Sequence, residues 1–210
     1  LLLGDFTRGW AEFEWRNQLK PPSSRPFAGP TWDGSPLNGK TILLHYEMGF
    51  GDSIQFARYV PMVAARGGKV LLECQPELRE VLCTVAGVDQ TIASGQPLPA
   101  YDVHCSLMSL PPLLKQIPNR VPYVSADPAR VEQWLPRLGP RKLRRRIGLV
   151  WAGNPTHQLD AERSIPLSMF ASLAGIDADC YSLQLTPAGQ TLAPPAGFTL
   201  IDLTPDINDF

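Results

Sequence analysis

Residues 41–61, TILLHYEMGFGDSIQFARYVP, constrain the fold more than any other stretch of the chain. The apolar run Ile42-Leu43-Leu44 has the character of a buried strand. It breaks at Gly49-Phe50-Gly51 and restarts at Asp52-Ser53, with Ile54, Ala57, Val60 and Ala64 at helical spacing. The pattern predicts a strand over 41–45, a glycine turn, and a helix beginning at Ser53 that kinks or starts afresh at Pro61. A strand followed by a glycine turn and a helix N-terminus is where open α/β sheets bind ligands. The theme repeats. A strand is expected over 69–74, a helix from Pro76 with Leu78, Val81 and Leu82 on its apolar face, and strands over 88–93, 101–105 and 121–124, with a helix over 107–114. Strands and helices alternating through short connections predict a Rossmann-like, doubly wound parallel sheet. The right-handed crossover rule then places helices on both faces.

Ahead of this unit, residues 2–19 read as an amphipathic helix carrying Phe6, Trp10 and Phe13, with Arg16 and Asn17 continuing the same spacing. Those aromatics require a surface. It is either the helix's own domain or the end of a helical repeat array lying upstream. Residues 21–39 form a Pro/Ser/Gly connector with Trp32 as an anchor. Beyond the first unit, Asp127-Pro128 starts a helix striped by Val131, Trp134, Leu135 and Leu138 and stopped by Gly139-Pro140. The basic run 141–146 is either a solvated linker or a patch for phosphate or nucleic acid. A second α/β pattern follows: strand 147–151, polar loop 152–164, helix 166–174, strand 180–185 and a further strand over 199–203. The expected organisation is a helix at 1–20, a connector at 21–39, a Rossmann-like domain at 40–140, a basic linker at 141–146 and a partial α/β domain at 147–210.

Composition narrows the function classes. With 44% hydrophobic residues the chain can bury a core, and its formal net charge of -1 argues against a dedicated nucleic-acid binder. Cys74, Cys83, Cys105 and Cys180 form no CxxC pair; Cys74 and Cys105 lie in strand-like runs and read as buried thiols, consistent with a reducing, cytoplasmic compartment. No apolar run approaches the roughly 18 residues of a membrane span. The start, Leu1-Leu2-Leu3, has neither an initiator Met nor the basic flank of a signal peptide, so the chain is expected to be a piece of something longer.

The familiar loop chemistries fail at identifiable positions. A dinucleotide fingerprint would need Gly where Ile54 stands, and Gly39-Lys40-Thr41 precedes its strand, where a P-loop must follow one. There is no GxSxG and no HExxH, and the three histidines are far apart in sequence, so no metal site is expected. Two loops remain. In the first, Asp52 either caps the helix, worth about 1 kcal/mol, or stands at a cleft edge as a general base. In the second, residues 153–164, Asn154, His157, Asp160, Glu162 and Arg163 gather between a strand and a helix. Arg163 is a candidate diphosphate clamp, its forked cation adding to helix N-terminal amides; otherwise this is a solvated loop with incidental charges. The loop is longer than the roughly two to six residues usual in such units.

TILLHYEMGFGDSIQFARYVP followed by IGLVWAGNPTHQLDAERSIPL resembles the bacterial tetratricopeptide-linked glycosyltransferases, which are similar to lipopolysaccharide heptosyltransferases of the GT-B superfamily. GDFTRGWAEFEWR at the front resembles a last repeat helix. The resemblance implies inverting, metal-independent sugar transfer from a nucleotide-sugar donor to a hydroxyl acceptor, which is a glycan, a lipid-linked sugar or a protein. It places the acceptor in the N-terminal domain and the donor in the C-terminal one, with protein partners for an upstream repeat array. The catalytic base carries over to Asp52, in an acceptor loop with Gly49, Gly51, Ser53 and Gln55. Gln55 stands where heptosyltransferases often have His. The donor-phosphate contact carries over to Arg163, and Asn154 and His157 match the tetratricopeptide-linked pattern. A DTAxAH-like donor stretch is expected beyond Asp209-Phe210, so this chain is expected not to transfer sugar by itself. The contrasting readings are a non-catalytic interaction module with a Rossmann-like fold and, on the basic run alone, a nucleic-acid binder.

Overall fold

Apolar runs buried on both faces are the mark of parallel strands, and the computed structural model forms two parallel sheets from the runs identified above. It describes residues 1–19, 26–119, 121–139, 144–185 and 193–207. Residue 20 of the expected helix, residues 21–25 of the expected connector, residue 120, residues 140–143 around the start of the basic run, and residues 186–192 and 208–210 lie outside the described residues. The chain divides into two units, Leu1–Ala126 and Asp127–Asp209.

In the first unit, α1 (Phe6–Phe13) and α2 (Arg16–Leu19) precede β1 (Thr41–His45), α3 (Phe50–Ala57), α4 (Val60–Ala64) and β2 (Lys69–Cys74). Then come α5 (Arg79–Leu82), β3 (Gln90–Ala93), β4 (Val103–Ser106) and α6 (Leu110–Leu114). The strands run parallel in the order β3-β2-β1-β4. Pro61 sits at the start of α4, the fresh start that its missing N–H dictates. Strand periodicity sorts the core. Ile42, Leu44, Val70, Leu72, Val103 and Cys105 face one side, with Phe56, Val60, Val63, Leu82 and Leu110 of the helices. Trp10 and Phe13 of α1 pack on this same cluster, so the N-terminal helix docks on its own unit.

The opposite face departs from expectation. Leu43, Leu71 and Ile92 are covered by Phe27, Leu98 and Tyr101, not by a helix. The crossover from β3 to β4 runs over this face, as right-handedness requires. Its residues include Pro97 and Pro99, which deny a helix its backbone donors, so it remains an extended loop. The strand expected at 121–124 is also missing. The free edge of β4 is instead met by the connector: His104 N–H donates to Pro30 O at 3.1 Å and Trp32 N–H to His104 O at 2.8 Å. Trp32 is buried, its Nε1 donating to Ser35 O.

In the second unit, α7 (Pro128–Trp134), β5 (Arg145–Leu149), α8 (Asp160–Arg163), β6 (Ala178–Ser182) and β7 (Leu200–Asp202) form a parallel sheet in the order β5-β6-β7. The α7 helix, expected to close the first domain, groups with this unit. Tyr181 of β6 donates its hydroxyl to Leu138 O just past the helix, at 3.0 Å. Arg145 and Arg146 belong to β5 and not to a linker. Arg144 pairs with Asp177 at 2.8 Å and Asp179 at 3.4 Å, and Arg146 donates to Gly139 O. The helix expected over 166–174 is a 3-10 stretch, Leu167–Leu173.

Candidate functional site

The winding of the first sheet reverses at β1. The chain leaves β1 toward β2 and β3, then returns to add β4 on β1's other side. Loops at the carboxyl ends of such a strand pair line the usual ligand crevice of an open α/β sheet. The turn after β1, residues 46–49, is one of them. Helix α3 begins at Phe50, three residues earlier than expected, with Gly49 as its N-cap in extended conformation. Asp52 is therefore the third helical residue and not the cap. Its Oδ2 accepts the Gly49 N–H at 3.1 Å, half of a capping box that glycine cannot reciprocate. Among the described residues, Oδ1 takes no hydrogen bond, and the side chain is partly exposed.

Ser53 is buried. Its hydroxyl donates to Gln75 Oε1 at 2.8 Å, with Gly49 O at 3.3 Å. Gln75, from the end of β2, in turn donates to Met48 O at 2.8 Å, so the two loops are locked together. Gly51 is exposed and nothing lies within 4 Å of where its Cβ would stand. Gln55 is exposed on α3. Gly49, Gly51, Asp52 and Ser53 thus form one local constellation, rimmed by the exposed side chains of Met48 and Phe50.

Sequence reasoning missed what supports this turn. Glu47 is gripped by Arg16 of α2, whose Nε and Nη2 reach its two oxygens at 3.0 and 2.8 Å. Arg16 Nη1 also meets Glu14 at 2.7 Å. Burial alone would raise the Glu47 carboxyl, but hydrogen bonds from Arg16 and Ser106 outweigh it and hold the group below the ordinary glutamate value. Burial opposes the Arg16 charge likewise, yet Glu47 and Glu14 raise its affinity for the proton. The signal was present: Arg16 continues the Phe6–Phe13 apolar spacing, and a charge on an apolar stripe needs a buried partner.

Two histidines distant in sequence are neighbours in space. His45 and His104, on adjacent strands β1 and β4, approach to 3.4 Å between Nε2 and Nδ1, with Phe27 stacked on His45. Burial pushes the His104 pKa down. Among the described residues, no three His, Cys, Asp or Glu side chains are grouped to hold a metal ion. The Cys74 and Cys105 thiols are buried and pushed up to about 11 and about 12, which leaves them protonated and inert.

The second loop follows β5. Trp151 and Ala152 N–H groups both donate to Gln184 Oε1, at 3.0 and 2.8 Å, tying the loop to the end of β6. Asn154 Oδ1 accepts from Thr156 N–H and Oγ1, and His157 Nδ1 accepts from Leu159 N–H; both side chains brace the loop's own turns. Arg163 lies at the end of the single-turn α8 with its Nε on Asp160 Oδ1 at 3.2 Å, and keeps about half of its side chain exposed. Gly153 is the residue that permits this: a Cβ there would fall 2.5 Å from Arg163 Nη2 and 2.6 Å from Asp160 Oδ1. The element that follows Arg163 is the 3-10 stretch Leu167–Leu173 and not the expected α-helix, so it offers no α-helix N-terminus. Any anion bound here would rely on the side chain. Among the described residues, no helix is long and apolar enough to cross a membrane.

No family model matches the chain. The chain is 29% identical over 197 residues to Protein FlbA of Caulobacter vibrioides, covering 81% of this chain and 32% of that one. It therefore spans about a third of the length of the relative it matches. Its structure is similar to the crystal structure of the glycosyl transferase family 9 from Veillonella parvula, with a TM-score of 0.53 at 9% identity, over 72% of this chain and 64% of that one. The α/β architecture of parallel Rossmann-like sheets is thus one that this chain shares with a family 9 glycosyl transferase.

Proposed function

We propose that the chain is part of a GT-B-type glycosyltransferase that moves a sugar from a nucleotide donor to a hydroxyl acceptor with inversion. The observation that carries the reading is the position of Asp52, at the carboxyl end of the central strand where the sheet reverses, in a fold shared with a family 9 glycosyl transferase. Gly49 fixes one carboxylate oxygen and so orients the other. In the proposed reaction the acceptor oxygen attacks the anomeric carbon from the face opposite the nucleotide. Its proton passes to Asp52 as the new C–O bond forms, and the nucleoside diphosphate leaves with the electrons of the broken C–O bond. Arg163 would supply positive charge to that leaving group in the donor-binding unit, as guanidinium forks do for phosphates. This whole-protein activity, its acceptor, a cytoplasmic setting and partners for an upstream repeat array are parts of the same proposal.

Asp52→Asn in the full-length protein tests it. The amide oxygen can still accept from Gly49, so the fold is retained. Nucleoside diphosphate release from UDP-, GDP- and ADP-sugars should fall by about 10²–10⁴-fold, the usual contribution of a general base. Wild-type turnover in the variant would remove Asp52 from the mechanism. The interaction-module reading draws on the exposed Met48 and Phe50 beside the turn, and predicts no turnover in either protein.

A further inference from the structure

We propose that Arg16 and Glu47 are positioning residues for Asp52: their salt bridge fixes the turn between β1 and α3 from outside the sheet. The geometry stands by itself; what the turn then does rests on the sugar-transfer reading above.

The turn is held residue by residue. Tyr46 donates its hydroxyl to Ser94 Oγ at 3.0 Å, beyond the end of β3. Glu47 is bonded by Ser106 at the end of β4 and by Arg16. Met48 O accepts from Gln75 after β2. Each loop partner belongs to the sheet's own carboxyl edge except Arg16, which arrives from the N-terminal helix, 31 residues away in sequence.

A guanidinium has five N–H donors, and here each has an acceptor. Nε meets Glu47 Oε2 at 3.0 Å, Nη1 meets Phe13 O at 3.3 Å and Glu14 Oε1 at 2.7 Å, and Nη2 meets Glu47 Oε1 at 2.8 Å and Ser109 Oγ at 2.9 Å. The Ser109 hydroxyl in turn donates to Glu14 Oε2 at 3.0 Å, closing the ring. The Phe13 ring lies under the cation, 4.5 Å from its central carbon to the ring centroid. The Arg16 side chain is 8% exposed. With its donors spent and its face covered, Arg16 has nothing to offer a substrate, so its influence must run through Glu47. Lysine could not replace it, because three donors on a point charge cannot fork onto both Glu47 oxygens while holding Glu14 and Ser109.

The test uses the full-length protein with Arg16→Lys, Arg16→Met and the double variant Arg16→Met/Glu47→Leu, against Arg8→Met as control. Arg8 is exposed and pairs only loosely with Glu12, at 3.9 Å. Two readouts are taken: amide hydrogen exchange across residues 46–53, and transfer kinetics. Arg16→Met should lower protection of those amides by about tenfold, a local opening. It should lower kcat by about 10²-fold with KM little changed, the size expected for a displaced catalytic group. Arg16→Lys should fall between. The double variant removes both charges of that pair and should recover part of the melting temperature lost in Arg16→Met, since an ion pair can be replaced by apolar groups while Glu14 keeps its bond from Ser109, but it should not recover protection or kcat. Wild-type protection in Arg16→Met, or full recovery of protection in the double variant, would overturn the proposal. Lost protection in a protein whose wild type transfers no sugar would support the positioning role while refuting the sugar-transfer reading.

Discussion

The two parallel sheets of this chain are built to the same plan and finished differently. In the first unit, Ile42, Leu43, Leu44, Val70, Leu71 and Leu72 are all 1% exposed or less, because helices close one face and a proline-rich crossover closes the other. In the second, no residue of β5 is buried, and Val150, Leu183 and Ile201 stay exposed around a small core of Cys180, Tyr181, Phe198 and Leu203. A parallel sheet of apolar strands gives its full stabilisation only when both faces are covered. The same strand-forming residues therefore contribute very different amounts in the two units. Local polar ties compensate in part: Gln184 gathers two backbone amides in the second unit, as Gln75 bridges Ser53 and Met48 in the first.

The contrast can be broken by matched substitutions. Leu44→Ala removes a fully buried side chain and should cost about 3–4 kcal/mol, whereas Leu149→Ala, on a half-covered strand, should cost about 1 kcal/mol. Denaturant unfolding of both variants measures the difference, and equal losses would mean that the second sheet is covered in solution. Asp127→Ala addresses the second unit's only long helix among the described residues. Asp127 Oδ1 accepts from Ala129 N–H at 2.8 Å as the N-cap of α7, and its loss should cost about 1 kcal/mol. A finer contrast lies in acid. The folded Glu47 carboxyl titrates below its ordinary value of 4.5, so its contribution is present above that pH and is lost as pH falls through the lower folded value. Unfolding of the first unit followed against pH should therefore show an acid-limb slope that Glu47→Gln flattens. An unchanged slope would show that Arg16 gives Glu47 no net advantage.

Much of this was legible in the chain. The Ile42-Leu43-Leu44 and Lys69–Cys74 runs declared their strands because both of their faces are buried, which leaves no alternation to misread. Pro61 marked the break between α3 and α4, since proline cannot supply the missing N–H. The start of α3 was misplaced because Asp52 is as good at the third helical position as at the cap, and only the backbone at Gly49 distinguishes them. Helices were expected on both faces of the sheet, yet an extended crossover covers one, because handedness fixes which face a connection crosses but not what form it takes.

For the candidate site, the sequence by itself determined which loops follow the strands. It thereby singled out Asp52 in one unit and Arg163 in the other, since strand period and glycine breaks are local properties of the chain. Only the tertiary structure decided their partners. Arg16 reaches Glu47 across 31 residues, His45 meets His104 across 59, and Trp151 finds Gln184 across 33. Such pairs carry no fixed spacing. They follow from strand order and from the cost of leaving a buried charge or amide unpaired, which no segment of this chain satisfies until the sheet is assembled.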